Sequence, residues 1–159
     1  MIFKSLQRFG TAILCLLSAG IYGQQIDLEI GQTPEELANL INGNGVQILN
    51  PTITCSDSAY VVYTISAVNN FANGTGLVLS TGNIYDMEGP NASTTTTTEW
   101  GTPGDPLITT IAGANSFDAC SFEFDVVPVG DTLRFDFTFA SEEYSEYVGT
   151  PFNDVFAFF

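Results

Sequence analysis

The sequence predicts an all-β protein: an antiparallel two-layer β-sandwich of jelly-roll type, with one short N-terminal helix and a C-terminally truncated end. Three observations predict it. Short runs rich in β-branched and aromatic residues recur, such as YVVYTIS at 60–66, as half-buried strands require. Two later runs, 120–126 and 133–139, alternate apolar and polar side chains strictly, and a period of two puts each set on its own face of a strand. Turn residues separate the runs at short intervals.

The chain has 159 residues, enough for one domain on the scale of roughly 100 to 200 residues per domain. Its first 23 residues read as a secretory signal peptide. Lys4 and Arg8 form a short basic start, 9–17 is mostly apolar, and Ser18, Ala19 and Gly20 precede a cleavage point near Gly23. The apolar run falls short of the roughly 20 residues that span a bilayer. The domain is then 24–159.

Removing the leader takes away Lys4 and Arg8. Arg134 remains as the one cation against all 18 acidic residues, and the chain has no histidine. This excludes nucleic acid as a partner, because phosphates must be neutralised by Lys or Arg. It excludes anionic membrane surfaces for the same reason. Histidine-dependent catalysis and His-ligated zinc are excluded outright. So acidic a chain either binds hard cations such as calcium, which take carboxylate oxygens, or uses its charge for solubility. Two cysteines outlast processing, Cys55 and Cys120. In an exported chain they form one disulfide or stay as two buried thiols. A bridge closes a loop of about 65 residues.

In chain order, 24–32 is a polar lead-in. Thr33-Pro34-Glu35-Glu36 starts a helix: Thr33 caps, Pro34 suits the first position and Glu36 completes a capping box. Leu37, Leu40 and Ile41 give it one apolar face, and Asn42-Gly43-Asn44-Gly45 ends it. Strands are expected at 46–49 and 52–55, broken by Asn50-Pro51, then at 60–66 and 76–80. Residues 83–106 form a long loop with five consecutive threonines and the only tryptophan, Trp100. Such a ring either stacks on a sugar face or pins the loop to the core. A weak strand is expected at 107–111. Residues 120–126 and 133–139 then form a hairpin across 128–131. Its phenylalanines fill the core, each worth about 2 to 3 kcal/mol when buried. Arg134 pairs across it with Glu123 or Asp125. The last expected strand, 155–159, ends on Phe158-Phe159, so an incomplete sandwich with further domains beyond is expected.

Between these last strands lies an acidic loop. Glu142, Glu143, Asn153 and Asp154 are the candidate metal ligands. If the strand ends meet, these oxygens with carbonyls and water suit calcium. The bland alternative is solvated glutamates and an Asn-Asp turn. Trp100, Tyr144 and Tyr147 are the candidate ligand-binding aromatics.

The segments FTFASEEYSEYVGTPFNDVFAFF, GLVLSTGNI (76–84) and TPEELANLINGNGVQILN (33–50) resemble the choice-of-anchor L family. Ala157 stands where that pattern has glycine. The chain resembles the Bacteroidetes-type members. The resemblance implies a bacterial secreted or cell-surface protein, commonly exported by the type nine route, with a variable C-terminal anchor and no established enzymatic activity. The function expected is therefore a non-catalytic module for adhesion or for an extracellular ligand or glycan, with a calcium-ordered acidic loop. The alternatives are a structural spacer and a carbohydrate-active enzyme using Glu143 and Asp154. Glycosidases need carboxyls roughly 5 to 9.5 Å apart. Adjacent Glu142 and Glu143 would face opposite ways on a strand, which leaves Glu143 with Asp154 as the pair.

Overall fold

A computed structural model describes residues 26–65, 74–88, 93, 96, 98–141, 145, 147–152 and 154–159. The expected signal peptide lies outside them. The elements run β1 (Ile26–Glu29), α1 (Pro34–Ile41), β2 (Val46–Thr54), β3 (Tyr60–Ile65), β4 (Thr75–Leu79), a 3-10 helix (Ile84–Glu88), α2 (Pro106–Ala112) and β5 (Ser121–Pro128). Most of this order is strand. It forms two antiparallel sheets, β1-β3-β4 with β3 central and β2-β5.

Helix α1 begins as its residues dictate. The Glu36 N–H donates to Thr33 Oγ1 at 3.3 Å, and the Thr33 N–H donates to Glu36 Oε2 at 2.7 Å. Each partner satisfies a donor the helix start leaves orphaned. The helix lies against β2 and β4, one strand from each sheet. Its buried Leu37 and Ala38 join Val61, Val62 and Ile65 of β3, together with Ala59 and Ile84, to make the core. Both faces of β3 are covered, since Val61 and Val62 point to opposite sides.

Strand β2 runs through Asn50-Pro51 without stopping. Its ladder to β5 shifts register between Leu49 and Thr52, where Asn50 takes a left-handed φ of 51°. This is a β-bulge, the place in a ladder that tolerates proline. Asn50 Nδ2 donates to Asp125 Oδ2 at 2.7 Å across it. Thr54 pairs with Ser121, so Cys55 and Cys120 face each other one step further on. They are bonded, with Cα atoms 4.4 Å apart, a spacing typical of a directly opposed antiparallel pair. The turn beside the bridge ties the sheets together. The Ala59 carbonyl accepts from Ser80 N–H at 2.8 Å, the Ser58 carbonyl accepts from Ile84 N–H at 2.8 Å, and Cys120 Sγ lies 3.6 Å from Ala59 O.

Several sequence expectations are corrected. The lead-in before α1 contains strand β1, paired with β3; Ile26 and Leu28 alternate with Asp27 and Glu29, a pattern short enough to pass as polar. Residues 107–111 are helical rather than strand, so the described residues include two α-helices and a 3-10 helix. Asp105 caps α2, accepting from the Leu107 and Ile108 N–H groups at 2.7 and 3.0 Å. Pro106 occupies its first turn, and Gly113 closes it at φ 67°. The β-branched content of PLITTIA masked these stop and start signals. Strand β5 alternates as predicted, with Phe122, Phe124 and Val126 half-buried and Glu123 and Asp125 exposed.

The expected hairpin partner, 133–139, forms no ladder with β5, and 155–159 forms none either. Their phenylalanines are not core: Phe137 is 62 % exposed and Phe156 45 %. The two segments instead face each other. Phe135 stacks on Phe158 with ring centroids 4.8 Å apart, and Phe137 meets Phe156 at 5.1 Å. The pairs step by two in opposite directions, so this ribbon is antiparallel. Arg134 bonds Asp136, two residues on, at 3.0 Å rather than Glu123 or Asp125. The i, i+2 spacing puts both on one face of the extended chain, within side-chain reach.

Candidate functional site

Two loops carry the candidate residues. The first holds Trp100 and is organised by Asp118. Asp118 Oδ1 accepts from the Thr102 N–H at 2.7 Å and from Thr102 Oγ1 at 2.8 Å, and Oδ2 accepts from the Trp100 N–H at 3.1 Å. In return the Asp118 N–H donates to the Thr102 carbonyl at 3.1 Å, and Pro103 bridges Phe117. Asp118 has a positive φ of 50°, a conformation that Asp tolerates better than most residues. Burial pushes its carboxyl pKa up. Hydrogen bonds from the Thr102 hydroxyl and from the Thr102, Trp100 and Gly101 backbone outweigh that and hold it below the ordinary carboxylate range.

The loop is fastened at both ends. Upstream, Thr98 Oγ1 donates to Asp86 Oδ2 of the 3-10 helix at 3.0 Å. Downstream, Gly104 lies so close to Ser116 that an added Cβ would meet the Ser116 carbonyl and side chain. Ser116 Oγ donates to the Asp105 carbonyl at 2.9 Å, and its N–H donates to Thr109 Oγ1 at 3.1 Å. Backbone and carboxylate thus fix the loop, while the indole of Trp100 is 37 % exposed. The sequence offered no signal for Asp118. It reads as one more turn residue in GANSFD, and its partner Thr102 lies 16 positions away.

The second is the acidic loop. The ribbon geometry brings its two ends together: Ser141 Oγ makes a long contact of 3.5 Å with Asp154 Oδ2. Between them, Val148 N–H donates to Ser145 O at 3.3 Å and Thr150 N–H to Tyr147 O at 3.0 Å. Gly149 turns at φ 78°. Tyr147 is half-buried and packs edge-on against Phe152 at 5.6 Å, so its ring serves the loop's own packing. Of the other residues singled out here, Glu142, Glu143, Tyr144 and Asn153 lie outside the described residues. So does any measure of the Glu143–Asp154 separation. Among the described residues, no group of three or more His, Cys, Asp or Glu side chains is placed to hold a metal ion. Also among them, no helix is long and apolar enough to cross a membrane.

The model of the choice-of-anchor L domain matches residues 27–159. The chain belongs to that family. The match covers every described element but the first residue of β1. No curated protein and no solved structure matches the chain. Membership makes this choice-of-anchor L domain a module of a secreted or surface-anchored protein, in a family not known for enzymes.

Proposed function

We propose that this choice-of-anchor L domain is a non-catalytic binding module of an exported, surface-anchored protein, and that it takes an extracellular glycan on Trp100. The observation that carries this reading is the division of labour in the loop. Asp118 and Thr102 hold the backbone, so the indole is not needed to pin it. A large, stiff, partly exposed ring on a fixed backbone loses little entropy on stacking against a sugar face. The acidic loop is read as a second, calcium-ordered element. The Ser141–Asp154 contact supports it by closing the loop's ends, where Glu142, Glu143 and Asn153 would add oxygen ligands. The two sheets are read as the layers of a sandwich that carries both loops.

Trp100 is the only tryptophan, so its emission reports on the loop directly. Titration with a panel of soluble glycans, in calcium and again in chelator, should shift or quench that emission for at least one glycan. Trp100→Ala should abolish retention of that glycan on an affinity matrix. Loss of the response in chelator alone would tie calcium to binding. If no glycan shifts the emission, or the variant binds like the wild type, the domain is a spacer and the glycan reading fails.

A further inference from the structure

We propose that Asn42 is a site of spontaneous covalent modification, converting to aspartate and isoaspartate in the folded chain and loosening α1 as it does so. The turn after α1 reads Asn42-Gly43-Asn44-Gly45, and all four residues are exposed. Glycine after asparagine leaves the next backbone nitrogen unshielded. The Gly43 nitrogen attacks the side-chain carbonyl carbon of Asn42, the bond to the side-chain nitrogen breaks, and ammonia leaves with the amide proton. Water then opens the resulting cyclic imide on either side. Overall one water is consumed and one ammonia released, with no change of oxidation state.

The structure separates the two Asn-Gly steps. Around Gly43 there is open space: a Cβ built there meets nothing within 4 Å. Gly45 is held. Its carbonyl accepts from the Val129 N–H at 2.8 Å, its φ is 83°, and it leads directly into the β2–β5 ladder. The imide requires the local backbone to rotate, which the free step allows and the anchored step resists. Asn42 therefore converts before Asn44.

The position gives the change a consequence. Asn42 is the C-cap of α1, and the last turn of that helix has no basic residue. A carboxylate placed there faces the negative end of the helix dipole with nothing to offset it. The isoaspartate form also lengthens the backbone at the cap. Because α1 carries Leu37 and touches a strand of each sheet, modification weakens the element that clips them together.

The test incubates the full chain in mildly alkaline and mildly acidic buffer, with a synthetic peptide covering residues 39–47 as unfolded reference. Conversion is followed by peptide mapping with fragmentation that distinguishes isoaspartate. Asn42 should convert on the peptide's timescale, faster in alkali, with Asn44 lagging. Gly43→Ala, tolerated in that open space, should lose the Asn42 product. Asn42→Asp should melt below wild type. An Asn42 that stays intact while the peptide converts, or an Asn44 that converts first, overturns the site. An Asn42→Asp protein that melts like wild type overturns its link to α1.

Discussion

Val61 in β3 and Phe137 in the C-terminal ribbon are both apolar side chains on extended segments. Val61 is fully buried, whereas Phe137 is 62 % exposed. The difference lies in what surrounds each. Strand β3 has β1 and β4 on either edge, and Leu37, Ala38 and Ile84 join it in the core. Phe137 has the rings of Phe156 and Phe158 beside it, 5.1 and 5.8 Å away. Alternation assigns a face to each side chain. Removing that face from water needs other side chains packed over it, and among the described residues the buried apolar ones all lie before residue 129.

The comparison can be broken most severely at the disulfide. Replacing Cys55 and Cys120 with serine frees a loop of 65 residues and should cost about 4 kcal/mol on the chain-entropy account, read by urea denaturation. The ordered region would then lose its advantage over the ribbon. A paired truncation sharpens the contrast without touching covalent bonds. Leu37→Ala, at a fully buried site, should cost roughly 2 to 5 kcal/mol. Phe137→Ala removes a larger side chain yet should change stability by only about 0.5 kcal/mol. Equal losses would show that the ribbon's rings are as well covered as the core.

The smallest effect concerns the loop that Asp118 organises ahead of β5. The native pKa of Asp118 is lowered, so the folded chain binds fewer protons there than the unfolded one. Its contribution to stability is complete above the ordinary carboxylate pKa. It declines as pH falls from there through the lowered native value. Melting temperature and Trp100 emission should therefore both drop over that acid interval. Asp118→Asn should flatten that component of the acid profile. An unchanged profile would show that the carboxylate does not hold the loop.

Local chemistry was legible in the sequence wherever a few neighbouring residues settle the outcome. Thr33, Pro34 and Glu36 specify the start of α1 together, and YVVYTIS and GLVLS mark β3 and β4. The segments FTFASEEYSEYVGTPFNDVFAFF, GLVLSTGNI and TPEELANLINGNGVQILN together pointed to the family. What failed depended on distant partners or on signals that compete. PLITTIA has strand-like composition, but Asp105, Pro106 and Gly113 bracket it as a helix, and capping overrode propensity. Residues 133–139 have a strand's alternation but no ladder partner, which no local pattern supplies. Asp118 matters because it reaches Thr102 and Trp100, a pairing visible only once the chain has folded back. The acidic loop stays legible mainly as composition, since four of the residues chosen there fall outside what the structure describes.

The bulge in β2 has a consequence for length variation. Strand β2 has nine residues and faces eight in β5, so one residue is surplus to the ladder. On either side of it, Val46 and Ile48, then Pro51 and Ile53, turn inward. A deletion of Asn50 would leave that inward set intact and straighten the strand. A deletion of Gln47 would turn Val46 over to the outer face, because a shift of one residue reverses a strand. Chains related to this one should therefore gain or lose a residue at the bulge far more readily than along either arm.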